Sequence, residues 1–133
     1  MKAAVRKWEA VREFALGLPE AVEDHPWGPD DCVIKVNKKI FLFLGTVDGP
    51  RQPGLSVKLQ DEALHGHAMS APGAEPTGYG LGRSGWVSVP LGEKGAPSVE
   101  VLCEWVEESY RARALKRHVK ELDARTERFR ANG

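Results

Sequence analysis

The chain has 133 residues, 41% of them hydrophobic, with 19 Lys+Arg balanced by 19 Asp+Glu. That length predicts one domain able to bury its own core, and the apolar content excludes an intrinsically disordered chain. No apolar run reaches the ~18 residues a membrane helix needs, and a net charge of zero excludes attraction of nucleic acid by the molecule as a whole.

Residues 2–16 predict a helix. Val5, Trp8, Val11, Ala15 and Leu18 recur every three or four residues and so share one face; Gly17 and Pro19 stop it. The segment MKAAVRKWEAVREF is charged throughout, unlike a signal peptide, which predicts a cytoplasmic protein. Residues 19–31 hold three prolines and a glycine and read as a corner without regular structure. Cys32–Val36 and Ile40–Leu44 are β-branched and apolar, and Asn37, Lys38 and Lys39 between them predict a hairpin with a cationic tip. VDGPRQPG reads as the next turn. Leu55–Leu59 alternates as a half-buried strand does, with Ser56 and Lys58 outward. Asp61 caps a short helix ending at Met69.

Residues 71–85 carry five glycines and two prolines and read as a long flexible connection. Trp86–Leu91 predicts a strand that Pro90 confines to an edge or an end. Ser98 caps a further helix, with Leu102, Trp105, Val106 and Ser109 on its apolar face. Leu115, Val119, Leu122 and Phe129 continue at a new phase, as one long helix or two abutting ones. The order predicts an α+β fold: a mainly antiparallel sheet of about four to five strands, with the N- and C-terminal helices packed together on one face.

Charge is uneven along the chain. Residues 1–31 carry four basic and seven acidic groups, whereas residues 32–60 carry Lys35, Lys38, Lys39, Arg51 and Lys58 against Asp48. Lys35 and Lys58 lie among apolar neighbours, which places them on the sheet face opposite the core. Such lysines suit phosphate contacts, and they equally suit edge protection.

Catalytic signals are absent. His65 and His67 stand two apart on a helix and point about 160° away from each other, so they cannot share an ion. His25, beside Asp24 with Asp30 and Asp31 nearby, reads as part of an acidic loop. His118 falls on a basic helical face. The glycines of GYGLG and GLGRSG do not lead from a strand into a helix, as a phosphate cradle requires, and GRSGW is no nucleophile elbow. Cys32 and Cys103 sit among apolar residues and read as buried free thiols. The expectation is a non-enzyme without catalytic residues, cofactor or metal. Trp8 and Trp105 read as core, and Trp27 and Trp86 as packing residues more than stacking surfaces.

LPEAVEDHPWG, VIKVNKKIFLFL, GLSVKL, PTGYGLGRSGWVSVPL and EWVEESYRA occur in the order of the MmcQ/YjbR family, which this chain resembles. The resemblance spans residues 18 to about 116 and implies a single domain over 1–133, with its core in 1–116 and a helical extension from 117 to 133. It implies a fold similar to the frataxin (CyaY) type and a DNA-binding role, a label that rests on a double-wing shape. The matching family positions are Glu23, Pro26-Trp27-Gly28, Lys35, Lys39, Lys58, Trp86 and Ser109-Tyr110. Where the family has basic residues or histidine before the tryptophan, this chain has Gly82-Arg83-Ser84-Gly85. The nucleic-acid candidates are thus Lys35, Lys38, Lys39, Lys58 and Arg83, on a monomer that binds DNA weakly and salt-dependently. One alternative is a protein-interaction or small-ligand domain. Another is frataxin-like metal binding on an acidic ridge of Glu9, Glu13, Glu20, Glu23 and Asp24, interrupted by Arg6, Lys7 and Arg12.

Overall fold

The computed structural model describes residues 2–29, 31–45 and 53–132. The predicted VDGPRQPG turn and Asp30 lie outside the described residues, apart from Pro53 and Gly54. The elements run α1 (Lys2–Leu16), β1 (Val22–Asp24), β2 (Cys32–Val36), β3 (Lys39–Gly45), β4 (Gly54–Lys58), α2 (Glu62–Met69), β5 (Glu75–Pro76), a 3-10 turn (Leu81–Ser84), β6 (Trp86–Pro90), α3 (Val99–Arg113) and α4 (Lys116–Asn132).

The sheet has six strands in the order β1-β2-β3-β4-β6-β5, each neighbour antiparallel. The two strands beyond the predicted set are β1, inside the proline-rich corner, and β5, inside the glycine-rich connection. Both are edges of three and two residues, too short to show a period of two. Residues 71–85 therefore contain regular structure, β5 and the 3-10 turn, that their composition does not announce. A Cβ on Gly85 would stand 2.8 Å from the Leu59 carbonyl oxygen, and Gly85 O accepts from Leu59 N at 2.9 Å. Only glycine lets the chain pass that close to β4.

The hairpin turns on two residues, Asn37 and Lys38, with φ of 52° and 63°. Both are left-handed, as the tight mirror-image turn demands; Lys39 already belongs to β3. Ile34 pairs with Leu42 but Lys35 pairs with Ile40, and Val33 pairs with Phe43 but Cys32 with Gly45. Phe41 and Leu44 are thus bulged residues, and the carbonyl of each accepts from a helix. Ser109 Oγ donates to Phe41 O at 2.5 Å, and Trp8 Nε1 donates to Leu44 O at 2.9 Å. The first bulge lets adjacent Phe41 and Leu42 both enter the core, where Phe41 meets Tyr110 edge-on at 5.3 Å.

α1 and α3 pack on each other and on β2, β3 and β4, so one face of the sheet is buried by helices. Val11, Ala15, Leu102, Trp105 and Val106 fill that layer, as their spacing predicts. The Trp105 indole N–H is buried with no hydrogen-bond partner among the described residues; its ring meets His67 edge-on at 5.5 Å. α4 starts afresh after Ala114, whose extended backbone ends α3. Of its predicted stripe, Leu122 is buried, but Leu115 and Phe129 are exposed. His118 is the buried residue instead, 3% exposed. Its Nδ1 accepts from Leu115 N at 3.2 Å, and its Nε2 lies 2.6 Å from Glu20 Oε2. The reading of His118 as part of a basic helical face is corrected: it is buried and fastens α4 to the corner after α1. Both cysteines are free; Cys32 is buried and Cys103 half-buried. No helix among the described residues is long and apolar enough to cross a membrane.

Candidate nucleic-acid interface

Among the described residues the other sheet face carries no helix layer, and the register decides what it holds. Lys58 pairs with Trp86, Ser56 with Ser88 and Phe43 with Ser56, and directly opposed residues share a face. Val33 and Trp86 are buried but do not belong to the helix-covered core. On this face Phe43 touches Trp86 edge-on at 5.2 Å and stacks on Trp27 at 6.1 Å with planes 13° apart. Trp86 is only 4% exposed, whereas Trp27 is 63% exposed. The packing residue and the surface residue are thus distinct: Trp86 is the floor, Phe43 the middle and Trp27 the open ring. Beside them Ser56 Oγ lies 2.7 Å from Ser88 Oγ, which lies 2.9 Å from Thr77 Oγ1. These hydroxyls satisfy one another and form a polar strip across β4, β6 and the residue that follows β5.

The same register brings the five predicted cations to one end of the sheet. Lys38 lies in the hairpin turn and Lys39 begins β3 opposite the core residue Val36, Lys35 pairs with Ile40 beside it, Lys58 ends β4, and Arg83 lies three residues before Trp86, the first residue of β6. Lys35 donates to Asp24 Oδ2 at 2.6 Å, so its charge is already matched. Lys38, Lys39, Lys58 and Arg83 have no ion pair with any described residue. A second exposed ring was not singled out in the sequence. Tyr79 projects fully into solvent, two residues after Thr77, with φ of 60°. The available signal was an aromatic residue set between Gly78 and Gly80.

Three of the five ridge carboxylates are engaged within the fold, and Glu9 and Glu13 have no ion pair among the described residues. Glu23 pairs with Arg12 at 2.5 Å, Asp24 with Lys35, and Glu20 with His118 and Arg117. The Arg12 guanidinium beside Glu23 holds its carboxyl down at about 2. A folded-state value below the unfolded ~4.3 stabilises the fold above the ordinary carboxylate range, and that contribution is lost as pH falls toward about 2. Arg12→Ala is expected to return Glu23 toward its ordinary value and to weaken the pH dependence of stability between about 4 and 2. Urea unfolding at stepped pH measures this; an unchanged acid limb would exclude the assignment.

On the helical side, Ala10, Phe14, Leu18, Val99, Cys103 and Leu122 line a shallow apolar depression of about 550 Å³. No group of charges converges there beyond Glu13 and Arg125 at its margin.

The YjbR family model matches residues 16–112, which leaves most of α1 and all of α4 outside the match. The chain is similar to a Deinococcus radiodurans protein of known crystal structure, DR2400, described by a DUF419 domain. The two are 26% identical, with a TM-score of 0.64 and 85% of each chain covered. No curated protein matches.

Proposed function

The chain belongs to the YjbR family, and from that footing we propose that it is a DNA-binding module that uses the helix-free face of its sheet. The observation that carries this is the charge of Lys38, Lys58 and Arg83, which have no ion pair among the described residues, at one end of a sheet whose helix-free face presents the exposed Trp27 ring on Phe43; Lys39 lies at the same end, opposite the core residue Val36. Cations without acidic partners neutralise phosphates, and an indole stacked flat on Phe43 is a ready platform for an unpaired base.

The turn supports the same reading. Asn-Gly is the favoured pair for a two-residue hairpin. Lys38 adopts the left-handed conformation at a cost of about 1 kcal/mol, so a charge is kept where glycine would be less strained. Tyr79, also left-handed and fully exposed, keeps a ring in solvent on similar terms.

Zero net charge means that attraction is local, so binding should be weak and steeply salt-dependent. Anisotropy titrations with labelled duplex and single-stranded oligonucleotides at several salt concentrations test this. Log affinity should fall linearly with log salt, by about 0.9 per phosphate contacted on duplex and about 0.7 on single strands. Replacing Lys38, Lys39 and Lys58 together by Ala should flatten the slope by about two to three. Lys35→Ala should change it less, because Asp24 already neutralises that ammonium. Trp27→Ala should weaken single-strand binding by about 1–3 kcal/mol with the slope retained. Absence of binding by the parent at low salt rejects the proposal, and an unaltered slope in the triple variant removes these lysines from the interface.

A further inference from the structure

A second group of chemically active side chains lies at the β1 edge. Glu23 and His25 are two residues apart in an extended stretch, and residues so spaced leave a strand on the same face. Cys32 begins the adjacent strand. His25 Nε2 lies 3.0 Å from Glu23 Oε2, and Cys32 Sγ lies 3.5 Å from Glu23 Oε1. One donor atom from each of the three lies within 4.8 Å of the others.

We propose that Glu23, His25 and Cys32 form a binding site for a borderline divalent transition metal of the zinc type. The donor set is the argument. Imidazole nitrogen and thiolate sulfur select such ions over calcium or magnesium, which take oxygen alone. A tetrahedral ion with bonds of roughly 2.0–2.3 Å places its ligand atoms roughly 3.3–3.7 Å apart; the three donor atoms lie within 4.8 Å of one another, so small side-chain shifts bring them onto one ion. Three protein ligands leave the fourth position for water.

Arg12 fits this arrangement as an outer partner. Its Nε holds Glu23 Oε1, which orients the carboxylate and turns Oε2 toward His25; ligating carboxylates are commonly fixed by such hydrogen bonds. Two anionic ligands, the Glu23 carboxylate and the Cys32 thiolate, balance the dication, while Arg12 stays outside. Burial keeps the Cys32 thiol protonated, with its pKa pushed up to about 11. Metal binding therefore displaces the Cys32 proton to solvent as the sulfur–metal bond forms.

This site shares only Glu23 with the acidic ridge and differs from it in chemistry. Glu9, Glu13, Glu20 and Asp24 take no part, and the discriminating donors are nitrogen and sulfur. It is also independent of the DNA reading, because it uses none of the cations at the hairpin end.

Titrating the full chain with cobalt(II) tests the proposal. One equivalent should produce a thiolate-to-cobalt charge-transfer band, and zinc(II) should abolish it by displacement. Cys32→Ala should remove the band, and Cys103→Ala should leave it intact. His25→Ala should weaken cobalt binding at least about tenfold. His25 is exposed, so this variant keeps the test decisive even where loss of the buried cysteine impairs folding. Absence of a band in the parent overturns the site. So does a band that survives Cys32→Ala, an undiminished affinity in His25→Ala, or saturation at half an equivalent, which would place the ion between two copies.

Discussion

Trp86→Ala is expected to destabilise the fold by about 3–5 kcal/mol, the usual cost of truncating a buried tryptophan. The ring is 4% exposed on the helix-free face, against Phe43, so little of its area is in water to begin with. For a chain of this length each kcal/mol lowers the melting temperature by roughly 3–5 °C, which predicts a fall of roughly 10 °C or more. Arg83→Ala, three residues earlier and exposed, should stay within about 0.5 kcal/mol of the parent. Thermal and urea unfolding of the two variants measure the contrast. A Trp86→Ala protein that melts like the parent but loses ligand would make the residue a contact rather than a floor. On the present geometry it supports the contact residue instead, because Trp27 rests on Phe43 and Phe43 on Trp86.

Ser109→Ala should be nearly as damaging, although it removes one oxygen atom. The Ser109 hydroxyl donates to Phe41 O and accepts from Lys58 N at 2.8 Å. It thus stitches β3 to β4 beside the bulge, next to the paired positions Leu42–Val57 and Phe43–Ser56. The alanine variant strands a buried carbonyl and an amide together. Each unsatisfied group costs about 1–3 kcal/mol, so about 2–6 kcal/mol is expected in all. Hydrogen exchange at the Lys58 amide should accelerate more than at neighbouring strand positions, a signature that general loosening of the core would not give. Loss of less than about 0.5 kcal/mol would mean that water or backbone closes the gap.

Tyr110 completes this support. Its hydroxyl donates to Pro19 O at 2.8 Å, and burial pushes its pKa to about 12, so the donor keeps its proton across the working range. The Ser-Tyr pair of the family signature therefore acts on the scaffold: one residue closes the sheet and the other fixes the corner from which β1 departs.

The elements written in local periodicity were legible in the sequence. α1 ends where Gly17 and Pro19 stop it, Asp61 caps α2 by accepting from Leu64 N, and Ser98 caps α3 by accepting from Val101 N. The β2–β3 hairpin and β4 follow from β-branched runs and alternation, and the outward placement of Lys35 and Lys58 follows from their flanking residues. In each case the deciding interaction lies within a few residues of chain, so the sequence states it directly. The family resemblance added the order of the pieces.

Other features depended on distant partners. β1 and β5 are strands only because β2 and β6 offer them an edge, and their own residues read as loop. The Phe41 bulge exists in the pairing of two strands and the hydroxyl of a third element. His118 is buried because the corner after α1 presents Glu20 to it, a contact across nearly the whole chain. Trp27 and Trp86 have the same local appearance, each following a glycine- or proline-rich stretch, yet one is an exposed platform and the other its floor. Glu23, His25 and Cys32 come together through pairing of β1 with β2, with an irregular loop between. Local composition fixes which conformation a segment prefers; which side chains meet across the sheet is settled by register and layer packing, and those are properties of the folded chain.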